Sequence, residues 1–315
     1  MDKIRTLLTS EVSNAYPVQE SLHEGLSRQQ NLAPDQLLLT PGIDGAIRSF
    51  FQAYVRPGDK VACLRPSYAM YEVYAQMFGA EVVPVEFDQR MGVDVTDLKR
   101  ASAESKYFFL ANPNQPTGTY LSVEIIQNLL EISTANSALL ILDEAYAPFA
   151  GVSWVGQVSQ QTNLLVLQTF SKAYGLAGFR VGWAAGPTEV ISNMRKVRST
   201  YDINSAALLF AEQLLLEPKI LAEHLADLQA GKELLITRAA NLGFEPLKTY
   251  TNFLLLKVPE PLHASDLQGR LKERGYLIKT FQGVPCMEDL LRVTLASPKV
   301  LSLFCDALTD AIKED

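Results

Sequence analysis

Lys172 lies in the run Thr169-Phe-Ser-Lys-Ala-Tyr-Gly-Leu-Ala-Gly-Phe-Arg-Val-Gly182, close to the hydroxyls of Thr169 and Ser171 and the guanidinium of Arg180. A lysine amine condenses with an aldehyde to a Schiff base, while hydroxyls, glycine amides and a guanidinium together can hold a phosphate. One segment thus carries the parts of a site for an aldehyde that bears a phosphate. Ahead of it, Asn163-Leu-Leu-Val-Leu-Gln-Thr-Phe170 is a continuous apolar run, which reads as a strand of a buried parallel sheet. The amine then stands at the strand's carboxyl end, where open α/β sheets hold their ligands.

Pyridoxal phosphate is a cofactor of that description, and it acts as an electron sink only while its ring nitrogen is protonated and its phosphate, hydroxyl and ring faces are held. Asp143 ends the apolar run Ser137-Ala-Leu-Leu-Ile-Leu-Asp143, so its carboxylate at a strand mouth could pair with the pyridinium; Glu-Ala-Tyr146 follows directly. Phosphate donors are expected from Thr40-Pro-Gly-Ile-Asp-Gly45, between a strand-like stretch at 36–39 and a helix marked by Ile43, Ile47, Phe50, Phe51 and Tyr54. Thr169, Ser171 and Arg180 would complete that cradle. Asn112-Pro-Asn-Gln-Pro-Thr-Gly118 is a stiff turn after the strand-like Lys106-Tyr-Phe-Phe-Leu-Ala111; it either closes the chain or aims an amide at a ligand. Tyr68 opens a helix after the strand Lys60-Val-Ala-Cys-Leu64, on the same sheet edge, as packing or as a shelf for a ring.

Together these segments resemble the class I/II aminotransferases of fold type I, and within them the histidinol-phosphate aminotransferase-like branch, from about Tyr16-Pro17 to the C-terminus. The resemblance implies that Lys172 is the lysine that binds pyridoxal phosphate, Asp143 the partner of its ring nitrogen and Tyr146 the phenol on its ring hydroxyl. Tyr68 would stack on the ring, with Asn112 and Gln115 as further cofactor contacts. Gly42, Ile43 and Asp44 would form the phosphate cup with Thr169, Ser171 and Arg180. Arg292, in Leu-Leu-Arg-Val-Thr-Leu295, resembles the arginine that grips the substrate α-carboxylate, where a planar fork suits the anion better than an ammonium. Tyr16 resembles the tyrosine that reaches the cofactor phosphate of a neighbouring subunit, which implies a homodimer with shared sites.

Three departures stand out. Gln115 replaces the family's usual Asn before Pro-Thr-Gly, so the amide is one methylene further out. No Asn-Glu-Asn-Pro-like motif precedes Tyr16, which reads as a shortened arm. Lys279 stands where the histidinol-phosphate enzymes usually place an arginine for the substrate phosphate. Asn252 is a further candidate for the carboxylate side. The implied reaction is transamination between an amino acid, or an amino-phosphate compound, and a 2-oxo acid; Lys172 would move the proton. A decarboxylase of the threonine-phosphate type shares most of these motifs, and a silent cofactor-binding protein is the alternative of another class.

The 315 residues carry a net charge of −7 without a long acidic or basic run, which argues against nucleic acid as a partner. No apolar stretch approaches the ~20 residues of a membrane helix, and the first residues lack the order of a secretory signal, so a cytoplasmic enzyme is expected. Cys63, Cys286 and Cys305 are far apart and odd in number, which speaks against a disulfide framework and a zinc site. His23, His224 and His263 are equally scattered, and no metal is expected.

Strand-like and helical runs alternate from 36 to about 185, the pattern of a mostly parallel sheet wrapped by helices. A helical stretch follows, with Leu214, Leu215, Leu221, Leu225 and Leu228 reading as core, and Pro218 marks the start of a long joining helix. The expected fold is α/β: an arm at 1–30, a large domain at 31–217, and the linking helix with a small α+β domain at 218–315. The small domain is expected to hold a strand from Phe244 to Val258, with Asn252 inside it as an edge-strand amide, and strands carrying Lys279 and Arg292.

Overall fold

Continuous apolar runs become strands of a sheet that is covered on both faces. The computed structural model describes residues 9–313, and in it these runs form β1 (Leu37–Thr40), β2 (Lys60–Arg65), β3 (Glu81–Glu86), β4 (Tyr107–Ala111), β5 (Leu139–Asp143), β6 (Leu164–Thr169) and β7 (Gly182–Ala185). Their order is β1-β7-β6-β5-β4-β2-β3. All neighbours from β3 through β6 are parallel, whereas β7 runs antiparallel to both β6 and β1.

The helices α1 (Glu20–Gln30), α2 (Gly42–Tyr54), α3 (Met70–Met77), α4 (Val95–Glu104), α5 (Val123–Ala135), α6 (Thr188–Val197) and α7 (Ser205–Leu216) cover the sheet. One apolar layer joins Leu22 and Leu26 of α1, Leu98 of α4, Ile126 and Leu130 of α5 and Leu208 of α7 to Phe108 and Leu110 of β4. The other joins Ile47, Phe50 and Phe51 of α2, Tyr71 of α3 and Met194 of α6 to Phe109 of the same strand. Alternate side chains of one strand thus feed two cores, as the two-residue period of a strand requires.

A second sheet, β10-β9-β8, is built from β8 (Glu245–Pro246), β9 (Phe253–Lys257) and β10 (Leu290–Thr294), all antiparallel. It packs with α8 (Pro218–Asn241), α9 (Ala264–Glu273) and α10 (Pro298–Ala311) around Leu235, Leu254, Leu267, Leu291 and Phe304. Pro218 occupies the first turn of α8, where its missing N–H costs no hydrogen bond.

Several expectations need correction. The stretch from Phe244 to Val258 is two strands, and β9 is central rather than an edge, because β8 and β10 flank it. Asn252 precedes β9 rather than lying in it, and Lys279 makes only an isolated bridge to Arg292 instead of belonging to a strand. Of the leucine stripe, Leu228 is buried, but Leu214 and Leu215 at the end of α7 and Leu221 and Leu225 at the start of α8 are only partly so; Leu214 and Leu215 pack against the first apolar layer. No helix of the described residues is long and apolar enough to cross a membrane. Residues 1–8 of the expected arm lie outside the described residues.

At Gly231 the helix α8 passes so close to the loop before α10 that a Cβ there would run into the carbonyl oxygen of Ala296 and approach Leu301 Cδ1 at 3.0 Å. Gly231→Ala should therefore lower stability by about 1–3 kcal/mol, as overpacking does, and reduce the midpoint of thermal unfolding. An unchanged midpoint would show that this contact yields freely.

Candidate active site

The carboxyl ends of β4, β5 and β6 open on a cavity of about 130 Å³. Strand register sets its floor: Thr40 pairs with Gly182 and Gly182 with Thr169, which puts the ends of β1, β7 and β6 in one row. Gly182 must be glycine there, because a Cβ would meet Gln168 O at 2.7 Å and Gly42 C at 2.9 Å. The loop that starts α2 thereby lies directly on the sheet edge.

The anion end of the cavity is built from that loop and from the segment after β6. Gly42 has φ +73°, and a Cβ would meet Arg180 Nη2 at 2.9 Å, so the glycine lets the guanidinium approach the start of α2. No side chain caps α2, and the amides of its first turn are left for a ligand. The Thr169 hydroxyl donates to Ser171 Oγ at 2.9 Å, and Arg180 Nη1 reaches Ser171 Oγ at 3.4 Å and Ala177 O at 3.2 Å. Among the described residues no carboxylate pairs with Arg180. An unneutralised guanidinium, hydroxyls and free amides together suit a dianion such as phosphate.

The acid end is Asp143, 5% exposed at the end of β5. The Tyr71 hydroxyl donates to its Oδ2 at 2.6 Å and the Ala145 N–H to its Oδ1 at 3.0 Å. Burial raises the pKa of the carboxyl, and these two bonds and the nearby Lys172 oppose the rise. Tyr71 and Ala145 both line the cavity and were not picked out from sequence. The only signal for Tyr71 was its spacing, one helical turn beyond Tyr68. Glu144 is also buried, accepting from Ser153 Oγ, Trp154 N and Gln168 Nε2, and desolvation pushes its carboxyl up to about 7.

Lys172 stands between these ends. Its Nζ lies 5.3 Å from the centre of the Tyr146 ring, and its pKa is lowered, first by burial and then by the charge of Arg292; Asp143 works the other way. Tyr146 sits edge-on to Phe253 at 5.8 Å, and the Arg292 guanidinium lies 5.2 Å from the Phe253 ring centre. Arg292 is held in β10 opposite Leu255 and is half-buried; desolvation lowers its pKa. No side-chain acceptor among the described residues bonds to its guanidinium. It stands behind Tyr146 and Phe253 rather than in the cavity wall. Burial pushes the Tyr146 phenol to about 12, so it remains a donor.

Ile43, Asp44, Tyr68, Gln115, Asp143, Tyr146, Thr169, Ser171, Lys172 and Arg180 all line the cavity, and Tyr68 donates to Asp44 Oδ1 at 3.3 Å. Besides Gly42 and Arg292, four candidates lie outside its wall. Asn112 is turned away: its Nδ2 donates to Leu121 O at 3.1 Å and its Oδ1 accepts from Leu121 N at 2.8 Å, so both ends of the amide hold the loop. Asn252 is outside the wall, and its backbone carbonyl accepts from Leu295 N. Lys279 is exposed, its ammonium 5.6 Å from the Phe281 ring centre. Tyr16 is 74% exposed and stacks on Tyr201 at 4.4 Å, away from the cavity of its own chain. No group of residues among those described could hold a metal ion.

The family described as aminotransferase class I and II matches residues 16–308. A histidinol-phosphate aminotransferase of Thermoanaerobacter pseudethanolicus is 33% identical over 299 residues, spanning 93% of this chain and 83% of the relative. The solved histidinol-phosphate aminotransferase of Sinorhizobium meliloti, in complex with pyridoxal-5'-phosphate, superposes with a TM-score of 0.85 at 24% identity, over 98% of this chain and 85% of that one. L-threonine-O-3-phosphate decarboxylase of Porphyromonas gingivalis gives 0.83 at 24% identity, over 99% and 96%. At that identity the two structures show a shared fold.

The lowered Lys172 pKa has a testable sign. The neutral, reactive amine should be reached below the ordinary lysine value of 10.5, so the rate at which the ligand-free protein captures an aldehyde should rise and level off at lower pH than for a free lysine. Arg292→Leu removes a positive neighbour and should move that midpoint up; Asp143→Asn removes a negative one and should move it down. A midpoint that ignores Arg292→Leu would separate the two groups electrostatically.

Proposed function

Because this chain belongs to the class I and II aminotransferase family, we propose that the cavity around Lys172 is where its transamination takes place. The chain is a pyridoxal-phosphate-dependent aminotransferase, and the group it uses fits the donors present. Arg180, Ser171, Thr169 and the start of α2 would hold the phosphate, Asp143 the ring nitrogen, and Tyr146 and Gln115 the ring hydroxyl side. When bound, pyridoxal phosphate supplies an electron sink for the bonds at the substrate Cα.

The observation that carries this reading is that two guanidiniums without carboxylate partners, Arg180 and Arg292, both lie near enough to Lys172 to depress its pKa. Arg292 is half-buried and Arg180 is exposed at the cavity wall, and a cation without a carboxylate partner at such a site favours an anion. One arginine then serves the cofactor and the other the substrate. Arg292 can take two oxygens of a carboxylate or of a phosphate in a planar fork, so an amino acid, an amino-phosphate compound and a 2-oxo acid are all compatible with it. Lys172 Nζ, whose pKa is lowered by burial, would remove the proton from the Cα of the amino donor. In the second half-reaction it returns a proton to the carbon that carried the oxo group. Asp143 would serve as the counter-ion of the ring nitrogen, and Tyr146, raised to about 12, stays a donor.

We also propose a homodimer in the cytoplasm, divided as an arm at 1–30, a large domain at 31–217 and a small one at 218–315. Support for the dimer comes from exposed apolar side chains on and near the arm, Tyr16, Val18, Tyr201, Leu216 and Ile220. In that dimer Tyr16 would serve the partner's cofactor phosphate.

Incubation with a panel of amino donors, histidinol phosphate and free amino acids among them, and a 2-oxo acid should yield the oxo form of one donor together with the aminated acceptor. Release of CO2 without those products would overturn transamination here. Arg292→Lys should lower kcat/KM by about 2 kcal/mol or more while cofactor absorbance is retained, because the bidentate contact to the substrate is lost. Unchanged kinetics would move the anion site elsewhere. Mixing inactive Lys172→Ala chains with Tyr16→Phe chains should give heterodimers with one fully native site, so activity at limiting cofactor should rise above that of either parent. No gain despite confirmed subunit exchange would confine Tyr16 to packing.

A further inference from the structure

We propose that Tyr71 is a positioning residue for the reaction: its hydroxyl holds Asp143 Oδ2 and keeps that carboxylate charged, so that the proton shared with the bound cofactor stays on the ring nitrogen. The inference rests on the role proposed for Asp143. Asp143 is almost completely shut off from water, and burial favours the neutral acid. A neutral acid cannot act as the counter-ion of a pyridinium. Two donors counter this, the Tyr71 hydroxyl at 2.6 Å and the Ala145 N–H at 3.0 Å, each on a different carboxylate oxygen. The first is at the short end for a hydroxyl bonded to a carboxylate, where such bonds are strongest.

Tyr71 cannot swing away from this contact. It is fully buried, stacked on Phe109 at 5.4 Å and edge-on to Tyr68 at 5.6 Å. Its own pKa is raised well above 10, so it remains a donor wherever the enzyme works. The other titratable groups around the pair are Cys63 on β2, Tyr68, Glu144, Tyr146 and Lys172; the Tyr146 phenol, pushed to about 12, stays neutral. Cys63 and Tyr68 are pushed to about 12 and stay neutral, Glu144 disfavours a second negative charge beside it, and Lys172 favours the Asp143 anion.

A donor on a carboxylate weakens it as a base, and a carboxylate and a ring nitrogen that face one proton divide it according to their basicities. Without the Tyr71 hydroxyl, Asp143 becomes the stronger base and competes for that proton. Both Tyr68 and Tyr71 reach the cavity wall, but the Tyr71 hydroxyl is spent on Asp143 Oδ2, so Tyr71 acts through Asp143. The backbone bond from Tyr71 N to Tyr68 O at 3.2 Å fixes the two rings to one turn at the start of α3.

The test is 15N NMR of the holoenzyme loaded with pyridoxal phosphate labelled at the ring nitrogen, recorded across pH for the native protein, Tyr71→Phe and Asp143→Asn. The native ring nitrogen should stay protonated over the whole range. Asp143→Asn should show it unprotonated, and Tyr71→Phe should lose the proton at a pH where the native protein keeps it. In Tyr71→Phe, kcat should fall about tenfold with little change in KM, the size expected for one hydrogen bond to a charged group. If Tyr71→Phe fails to fold, 3,5-difluorotyrosine at position 71, which changes donor acidity and little else, should move the nitrogen signal further toward the protonated side. A native-like signal in Tyr71→Phe, or no movement with difluorotyrosine, alongside a shifted Asp143→Asn would overturn the role of Tyr71. A native-like signal in Asp143→Asn as well would overturn the role of Asp143 on which it rests.

Discussion

A carboxylate shut off from water at the end of a central strand is the constraint around which this structure is arranged. A buried, unpaired carboxylate takes up a proton rather than remain ionised. Asp143 sits at the end of a central strand, and each neighbouring element answers its charge: α3 with the Tyr71 hydroxyl, the turn after β5 with the Ala145 N–H, and the segment after β6 with Lys172. The same low dielectric that endangers the anion depresses the Lys172 pKa and makes a nucleophilic amine available. The two effects belong to one environment.

The second constraint is the fit between the two sheets. Gly118 has φ +75°, and a Cβ there would meet Thr249 Oγ1 at 2.6 Å and Phe253 Cε2 at 3.6 Å, so the turn that carries Gln115 lies hard against the loop before β9. Tyr250 N donates to Gly118 O at 3.0 Å across the same seam. Phe253 then touches both Tyr146 and Arg292. Any displacement of the smaller sheet therefore moves Arg292 relative to Lys172, which in the proposed role of Arg292 would couple substrate grip to the placement of the amine.

How far the sequence discloses this site depends on whether a residue's partners are local. Lys172, Asp143 and Tyr68 are legible because each ends or follows an apolar run at the mouth of a strand, and register alone brings strand mouths together; Arg180 is legible by its place in the same segment as Lys172. Tyr71 is hidden because its meaning lies in a bond to a residue 72 positions away. Asn112 misleads for the opposite reason: its amide is used nine residues on, at Leu121, which no spacing rule reveals. The antiparallel β7 is likewise silent in sequence, since Gly182–Ala185 is too short to carry a directional pattern, and the flanks of β9 become visible only once β8 and β10 pair with it.

The central claim is that Lys172 is the residue that binds the cofactor covalently. Reducing the pyridoxal-phosphate-loaded protein with borohydride would convert the linkage into a stable secondary amine, and mass mapping of the digested chain would locate it. The account predicts a single phosphopyridoxyl group, on the peptide that contains Lys172. A label on another lysine, such as Lys279 or Lys232, or no label at all on a fully loaded protein, would contradict it.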